Sequence, residues 1–397
     1  MRAAILFAIT CVGCATAGHP IELMPDELPP DLRDDAREVA TAYLAHPDDA
    51  CVLYQVAALL ARAGRRDDAI VVTRRMAALG SGVDPRLRDG FTSLAGRPDF
   101  EGIVASIRAA NPPVVHARDA FSLVEGDLRP EGIAWSTTTE RLYLGSAKRK
   151  IIAVDRAGHV EPFVEPATGG LGIVLGVRVD DARGELWAAS VKLDGQPADA
   201  VTGLFRFRLA DGAVIAHYSA GLVNDVAVAP DGRAYATLTA TGTIARVDPA
   251  TGVVDTLLPA GSIPDANGIA VSPDGAALFV ASWHEIYRVD LATRRVRALR
   301  KSPSVASGCF DGLYVLGHDL VGVQNCVHAT GRVMRLHLDP RGETIERATV
   351  LASYDPRFDG ITTAAIAGDT LWFVANVQLR KHAGFDPLRV LALPVAP

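Results

Sequence analysis

Asn267-Gly268-Ile269-Ala270-Val271-Ser272-Pro273-Asp274-Gly275-Ala276-Ala277-Leu278-Phe279-Val280-Ala281-Ser282 reads as two short strands joined by a tight turn. Asn267-Gly268-Ile269 opens the first strand, Pro273-Asp274-Gly275 supplies the Pro and Gly of the turn, and residues 277–282 are an apolar run of strand length. Residues 285–290 and 295–299 continue the pattern, so one repeat holds four strands. The opening phrase returns as Glu131-Gly132-Ile133, Leu175-Gly176-Val177, Asn224-Asp225-Val226, Asp311-Gly312-Leu313 and Asp359-Gly360-Ile361, with middle positions 43 to 49 residues apart. That period, with four strands per copy, belongs to a β-propeller, and six copies predict six blades. The last copy (361–366, 371–375, 388–393) is one strand short. Residues 120–124 are expected to supply its outer strand, which closes the ring and removes free sheet edges.

The first strand of every propeller blade lines the central channel, so the residues that open these strands form a ring at one mouth. They vary: Glu131, Leu175, Asn224, Asn267, Asp311 and Asp359, with Asp225 beside them. The loops after the second strands end at the same mouth. They bring Lys148-Arg149-Lys150, Lys192, residues 239–241, Trp283-His284, residues 325–328 and residues 376–378 to it. The ring offers oxygen donors without His or Cys, which favours a hard cation over zinc or copper. Asn and Asp before Gly also start strands as turn formers, so a structural role for Asn267, Asp311 and Asp359 stays open. Glu131 is a poor turn former and fits that alternative least. His284 and His328 are candidates for touching substrate, as general acids or bases, or else polar surface.

Outside the repeats the chain has two further parts. Arg2 precedes an uncharged run, residues 3–17, too short to span a membrane and suited to an export signal covering 1–18. Ala15-Thr16-Ala17 fits ordinary cleavage, whereas Val12-Gly13-Cys14 fits a lipoprotein box with Cys14 lipidated. The expected location is therefore the bacterial periplasm, free or lipid-anchored. Residues 30–111 have helical periodicity, with helices expected from Asp31, Asp48-Asp49, Asp67, Asp84-Pro85 and Pro98-Asp99. Residues 49–84 span about one tetratricopeptide period, so this segment is either a tetratricopeptide-like hairpin that holds a protein partner or a helical cap on the propeller.

A net charge of −6 over 397 residues, 22% of them charged, gives no electrostatic footprint for nucleic acid or an anionic membrane. Past the signal, Cys51, Cys309 and Cys326 remain. A two-residue turn at Gly317-His318 puts Leu316 opposite Asp319 and, counting outwards, Cys309 opposite Cys326. A bridge between those two and a pair of buried thiols are both open.

Pro130-Glu131-Gly132, Asn224-Asp225 with Pro230-Asp231-Gly232, Asn267-Gly268 with Ser272-Pro273-Asp274-Gly275, and Asp311-Gly312 resemble the regucalcin/gluconolactonase family. They also resemble the wider six-bladed group that includes paraoxonase-like and strictosidine-synthase-like proteins. The resemblance covers residues 117–397 and none of the helical segment. It implies an all-β six-bladed propeller behind the small all-α domain. It further implies a divalent cation, Ca²⁺ first with Mg²⁺ and Mn²⁺ as alternatives, held at positions matching Glu131, Asn267 and Asp311. Asn224 would contact substrate, and Asp311 would serve as base or nucleophile in hydrolysis of a lactone or related ester. Leu222 stands where the sugar-lactone enzymes carry an Arg that grips substrate, which points to a less polar substrate or to a metal-stabilised propeller that binds a ligand or partner without catalysis.

Overall fold

The computed structural model describes residues 28–85, 89–325, 331–378 and 381–395. Cys14, Cys326, His328 and the export signal expected over 1–18 lie outside them. The chain divides into two units, Met1–Asn111 and Pro112–Pro397.

The first unit holds α1 (Arg33–Ala45), α2 (Ala50–Arg62), α3 (Arg66–Ala78) and α4 (Pro98–Ala110). Asp49 caps α2 by accepting hydrogen bonds from the Cys51 and Val52 amides at 2.7 and 3.1 Å, so the Pro47-Asp48-Asp49 signal starts a helix for the expected reason. α2 is the centre of the unit, with Leu53, Tyr54, Val56, Leu59 and Leu60 buried. Where a helix was expected from Asp84-Pro85, the described residues form only a 3-10 stretch, Asp89–Leu94. Gly90 lies so close to α2 that a Cβ there would sit 3.0 Å from that of Ala58, and Gly96, two residues past the stretch, has a left-handed φ of +79°. Among the described residues no helix is long and apolar enough to cross a membrane.

The second unit is a six-bladed β-propeller: six four-stranded antiparallel sheets. The innermost strands are Ile133–Ser136, Ile173–Asp180, Val226–Val228, Ile269–Val271, Phe310–Leu316 and Ala364–Ala367. In the last blade Arg118–Leu123 pairs with Leu388–Pro394 and supplies the outermost strand, as expected. Apolar layers fill the space between blades. Tyr235, Ile244 and Leu257 of the third pack against Ile269, Leu278 and Val280 of the fourth.

The glycines of the repeated phrase exist for close approach between blades. A Cβ on Gly132 would lie 2.9 Å from the Val177 nitrogen, one on Gly176 2.7 Å from Asp225 Cα, one on Gly268 2.8 Å from the Leu313 nitrogen, and one on Gly312 3.0 Å from Thr363 Cα. Each blade thus rests its phrase on the backbone of the next. Gly360 does not share this role: it has φ +79° and nothing near its missing Cβ. In the sixth blade the innermost strand begins at Ala364, and the Gly312 amide donates to Thr362 O at 3.1 Å just as Gly176 donates to Asn224 O at 2.9 Å. Thr362-Thr363 therefore fills the ring position, and the expected placement of Asp359 there is corrected. The chain is three residues longer at this point than in the other copies, and Asp359 is exposed, although its amide donates to Ala375 O at 2.7 Å much as that of Asn267 donates to Ala281 O.

A second correction concerns Cys309. The hairpin pairs Leu316 with Asp319, but a bulge between Phe310 and Leu313 shifts the register by one, so Phe310 faces Gln324 and the Asn325 amide donates to Cys309 O. Cys309 stands opposite Asn325, one position short of what counting from the turn gives, yet of the two open alternatives, bridge and buried thiol, the bridge holds for Cys309. Cys309 is disulfide-bonded, with its partner outside the described residues, while Cys51 is a buried free thiol.

Candidate functional site

The ring at the channel mouth consists of Glu131, Leu175, Asn224, Asn267, Asp311 and Thr362, one per blade. Glu131, Asn224, Asn267 and Asp311 are half-buried. The ring closes on itself through Thr362 and Thr363, whose hydroxyls both donate to Glu131 O, the former at 3.1 Å. Asn325, on the loop after the second strand of the fifth blade, donates from Nδ2 to Asp311 Oδ2 at 2.6 Å and to Ile361 O at 3.0 Å. This fixes the plane of the Asp311 carboxylate. Asn224 donates to Thr239 Oγ1 at 2.8 Å, and Thr239 in turn to Ala266 O at 2.6 Å, which anchors it to the strand entry of the fourth blade.

Asp225 takes the position that is Gly in most copies of the phrase. Its buried carboxylate accepts from the Val226 amide at 2.8 Å and the Ile269 amide at 3.1 Å, stitching the third blade to the fourth. Arg178, on the innermost strand of the second blade, reaches across the channel. It donates to Val226 O at 3.2 Å and Ile269 O at 3.4 Å, lies 4.0 Å from Asp225 Oδ2, and stacks 5.2 Å over the Tyr314 ring. Behind it the channel widens to a cavity of about 240 Å³ lined by Ile133, Trp135, Val179, Val271, Val315 and Ile366, among others.

These groups set the electrostatics. Burial pushes the Glu131 carboxyl up from its usual 4.5 to about 8, and the neighbouring charges of Asp311 and Asp225 add to the rise. Asp225 is also raised by burial, opposed by Arg178 and its two amide donors. Burial lifts Tyr314 well above the usual phenol range, while Arg178 pulls it down. The mouth is a place where negative charge is expensive.

His284 is buried, its amide donating to Ser282 Oγ at 3.2 Å and its carbonyl lying against Gly308. The Lys148-Arg149-Lys150 loop is paired with acids: Lys148 with Glu125 and Asp127, Arg149 with Asp199, and Lys150 with Glu125. The sequence reading missed Arg178, Tyr314 and Thr362-Thr363. Arg178 did carry a signal, a lone cation between Val177 and Val179 on a channel-lining strand.

Among the described residues no group of three or more His, Cys, Asp or Glu side chains is placed to hold a metal ion. The ring instead offers two carboxylates and two amide side chains, all oxygen donors. Such a set fits a hard divalent cation that keeps some of its water, and the raised Glu131 marks where positive charge would be welcome.

Fold and mouth together define a six-bladed propeller with an oxygen-lined channel entrance. No protein-family model and no curated protein matches the chain. Among solved structures it is similar to a gluconolactonase from Xanthomonas campestris, at 19% identity over 72% of this chain and 93% of that one, with a TM-score of 0.48. It is also similar to the calcium-binding protein regucalcin from Agrobacterium tumefaciens, at 18% identity over 70% and 96%, with a TM-score of 0.49. Virginiamycin B lyase from Staphylococcus aureus matches at 14% identity over 70% and 99%, with a TM-score of 0.47. At these identities the likeness is one of fold.

Proposed function

We propose that this protein is a divalent-metal-dependent hydrolase of a lactone or related ester, working at the channel mouth. The observation that carries the reading is the burial of Glu131 beside Asp311 and Asp225, which together raise its carboxyl to about 8, burial most, and which a bound cation would offset. Glu131, Asn267 and Asp311 would hold that cation, most naturally Ca²⁺. When bound, it would polarise an ester carbonyl as a Lewis acid. Asp311, held in one orientation by Asn325, is the group suited to accept a proton from an attacking water. Asn224, whose amide is fixed by Thr239, would contact the substrate. Leu222 is exposed where the resemblance places a sugar-gripping Arg, which supports a substrate less polar than a sugar lactone.

The test is turnover of a panel of aliphatic lactones, sugar lactones and aryl esters with added Ca²⁺. At least one should be hydrolysed, and the rate should fall roughly 100-fold or more with chelator, in Glu131→Gln and in Asp311→Asn. Calcium-dependent thermal stabilisation without turnover anywhere in the panel would leave a metal-stiffened binding propeller instead.

A further inference from the structure

The fourth blade carries a run of positive charge that the channel mouth does not use. It reads Thr293-Arg294-Arg295-Val296-Arg297-Ala298-Leu299-Arg300-Lys301, in a chain of net charge −6. The third strand of that blade, Ile286–Asp290, pairs with its outermost strand, Val296–Ala298, so that Arg288 and Arg297 stand directly opposite one another. Directly opposed like charges on adjacent strands repel.

The third blade provides an internal control. There Arg246-Val247-Asp248 occupies the third strand as Arg288-Val289-Asp290 does in the fourth, and the residue opposite Arg246 is Asp255. Asp255 accepts from both Nε and Nη2 of Arg246, at 2.9 and 2.5 Å. The fourth blade thus keeps the arginine and replaces its carboxylate partner with a second arginine.

A cavity of about 350 Å³ surrounds this pair, lined by Arg288, Arg295, Arg297, Arg300, Asp290 and Glu343 among others. Two carboxylates face four arginines here, through long ion pairs only: Asp290 lies 4.0 Å from Arg288, and Glu343 lies 3.7 Å from Arg300. Arg295 and Arg297 enter no ion pair among the described residues. The wall is fixed, because Arg300 exchanges backbone hydrogen bonds with the outer edge of the fifth blade, its amide to Glu343 O at 3.0 Å and its carbonyl from the Ile345 amide at 2.7 Å.

We propose that this cavity binds a phosphate-bearing ligand, which does for Arg288 and Arg297 what Asp255 does for Arg246. Guanidinium forks match phosphate oxygens two at a time. The volume falls at the lower end of the range of about 300–1,000 Å³ for small-molecule sites, larger than a single inorganic ion fills. The phosphate belongs either to a soluble ester or to a phospholipid headgroup. The site is remote in sequence from the ring residues and stands independently of the hydrolase reading.

Pyrophosphate binding to the full chain, by calorimetry and thermal melting at low ionic strength, is the test. It is run beside co-sedimentation with phosphatidylcholine vesicles with and without phosphatidic acid. Arg297→Gln and the double variant Arg295→Gln/Arg297→Gln alter exposed residues and are expected to fold. Pyrophosphate should bind the wild type and raise its melting temperature, and Arg297→Gln should weaken binding about tenfold or more. Without anion, Arg297→Gln should melt no lower than the wild type, since it removes the opposed charge. Arg208→Gln, an exposed arginine of another blade, should bind as the wild type does. Pyrophosphate binding with inert vesicles assigns a soluble ester. Vesicle binding that Arg297→Gln abolishes, with pyrophosphate inert, assigns a headgroup. The proposal is overturned if neither probe binds, if both bind the double variant as tightly as the wild type, or if Arg297→Gln melts clearly lower without anion.

Discussion

Glu131 begins to titrate near 4.5 when the chain is unfolded and near 8 when it is folded, because the mouth strips its water and sets Asp311 and Asp225 beside it. Between those values the folded protein holds more protons than the unfolded one, so stability falls as pH rises through that window. In chelator, the melting temperature should therefore decline from about pH 5 to pH 8, with Glu131→Gln flattening the decline and melting higher than the wild type at pH 8. A wild-type profile flat across this window would remove the crowding on which the metal site rests. At this scale much of the site was legible, since Glu131, Asn224, Asn267 and Asp311 differ from one another in one column of a repeat whose remaining positions build strands. Arg178 was not, because a single Arg between two valines also fits an outward-facing strand position. Its channel placement depends on which face of the sheet looks inward.

The innermost strands show why the repeated phrase carries glycine. Four of its middle glycines touch the backbone of the following blade, and the third and sixth copies depart, the third with Asp225 converting the same close approach into hydrogen bonds from the Val226 and Ile269 amides. A methyl group on Gly176 would collide with Asp225 Oδ1 and lie 2.7 Å from its Cα. Gly176→Ala should thus cost about 1–3 kcal/mol in urea unfolding, while Gly360→Ala, with open space around it, should cost only what its positive φ demands. Equal losses at the two sites would mean that the column is not packed as described. The same contrast explains where pattern reading stopped. Asp359-Gly360-Ile361 has the composition of the phrase, but its glycine serves a left-handed turn, and three further residues precede the strand. Likewise the Phe310–Leu313 bulge moves Cys309 by one position, and a bulge has no signature in hydrophobic alternation.

A propeller is a ring, so its stability depends on how the last blade is shut. Here Arg118–Leu123, the first strand in the sequence, lies outside Leu388–Pro394, the last, and residues some 270 positions apart become neighbours. Leu123 pairs with Leu388 and is buried with Leu142, Val374 and Val390, so the closing strand is held by apolar packing as well as by its ladder. Leu123→Ala should lower stability by about 2–5 kcal/mol, whereas Val253→Ala, on the exposed outer strand of the third blade, should change it by no more than about 0.5 kcal/mol. The form of the loss matters more than its size. If closure stabilises the whole ring, amide hydrogen exchange in Leu123→Ala should speed up in the innermost strands of all six blades together, because opening at the seam frees both flanking blades to separate. Faster exchange confined to Leu388–Pro394 would show instead that the seam frays alone, and that the blades hold one another through their interfaces without it.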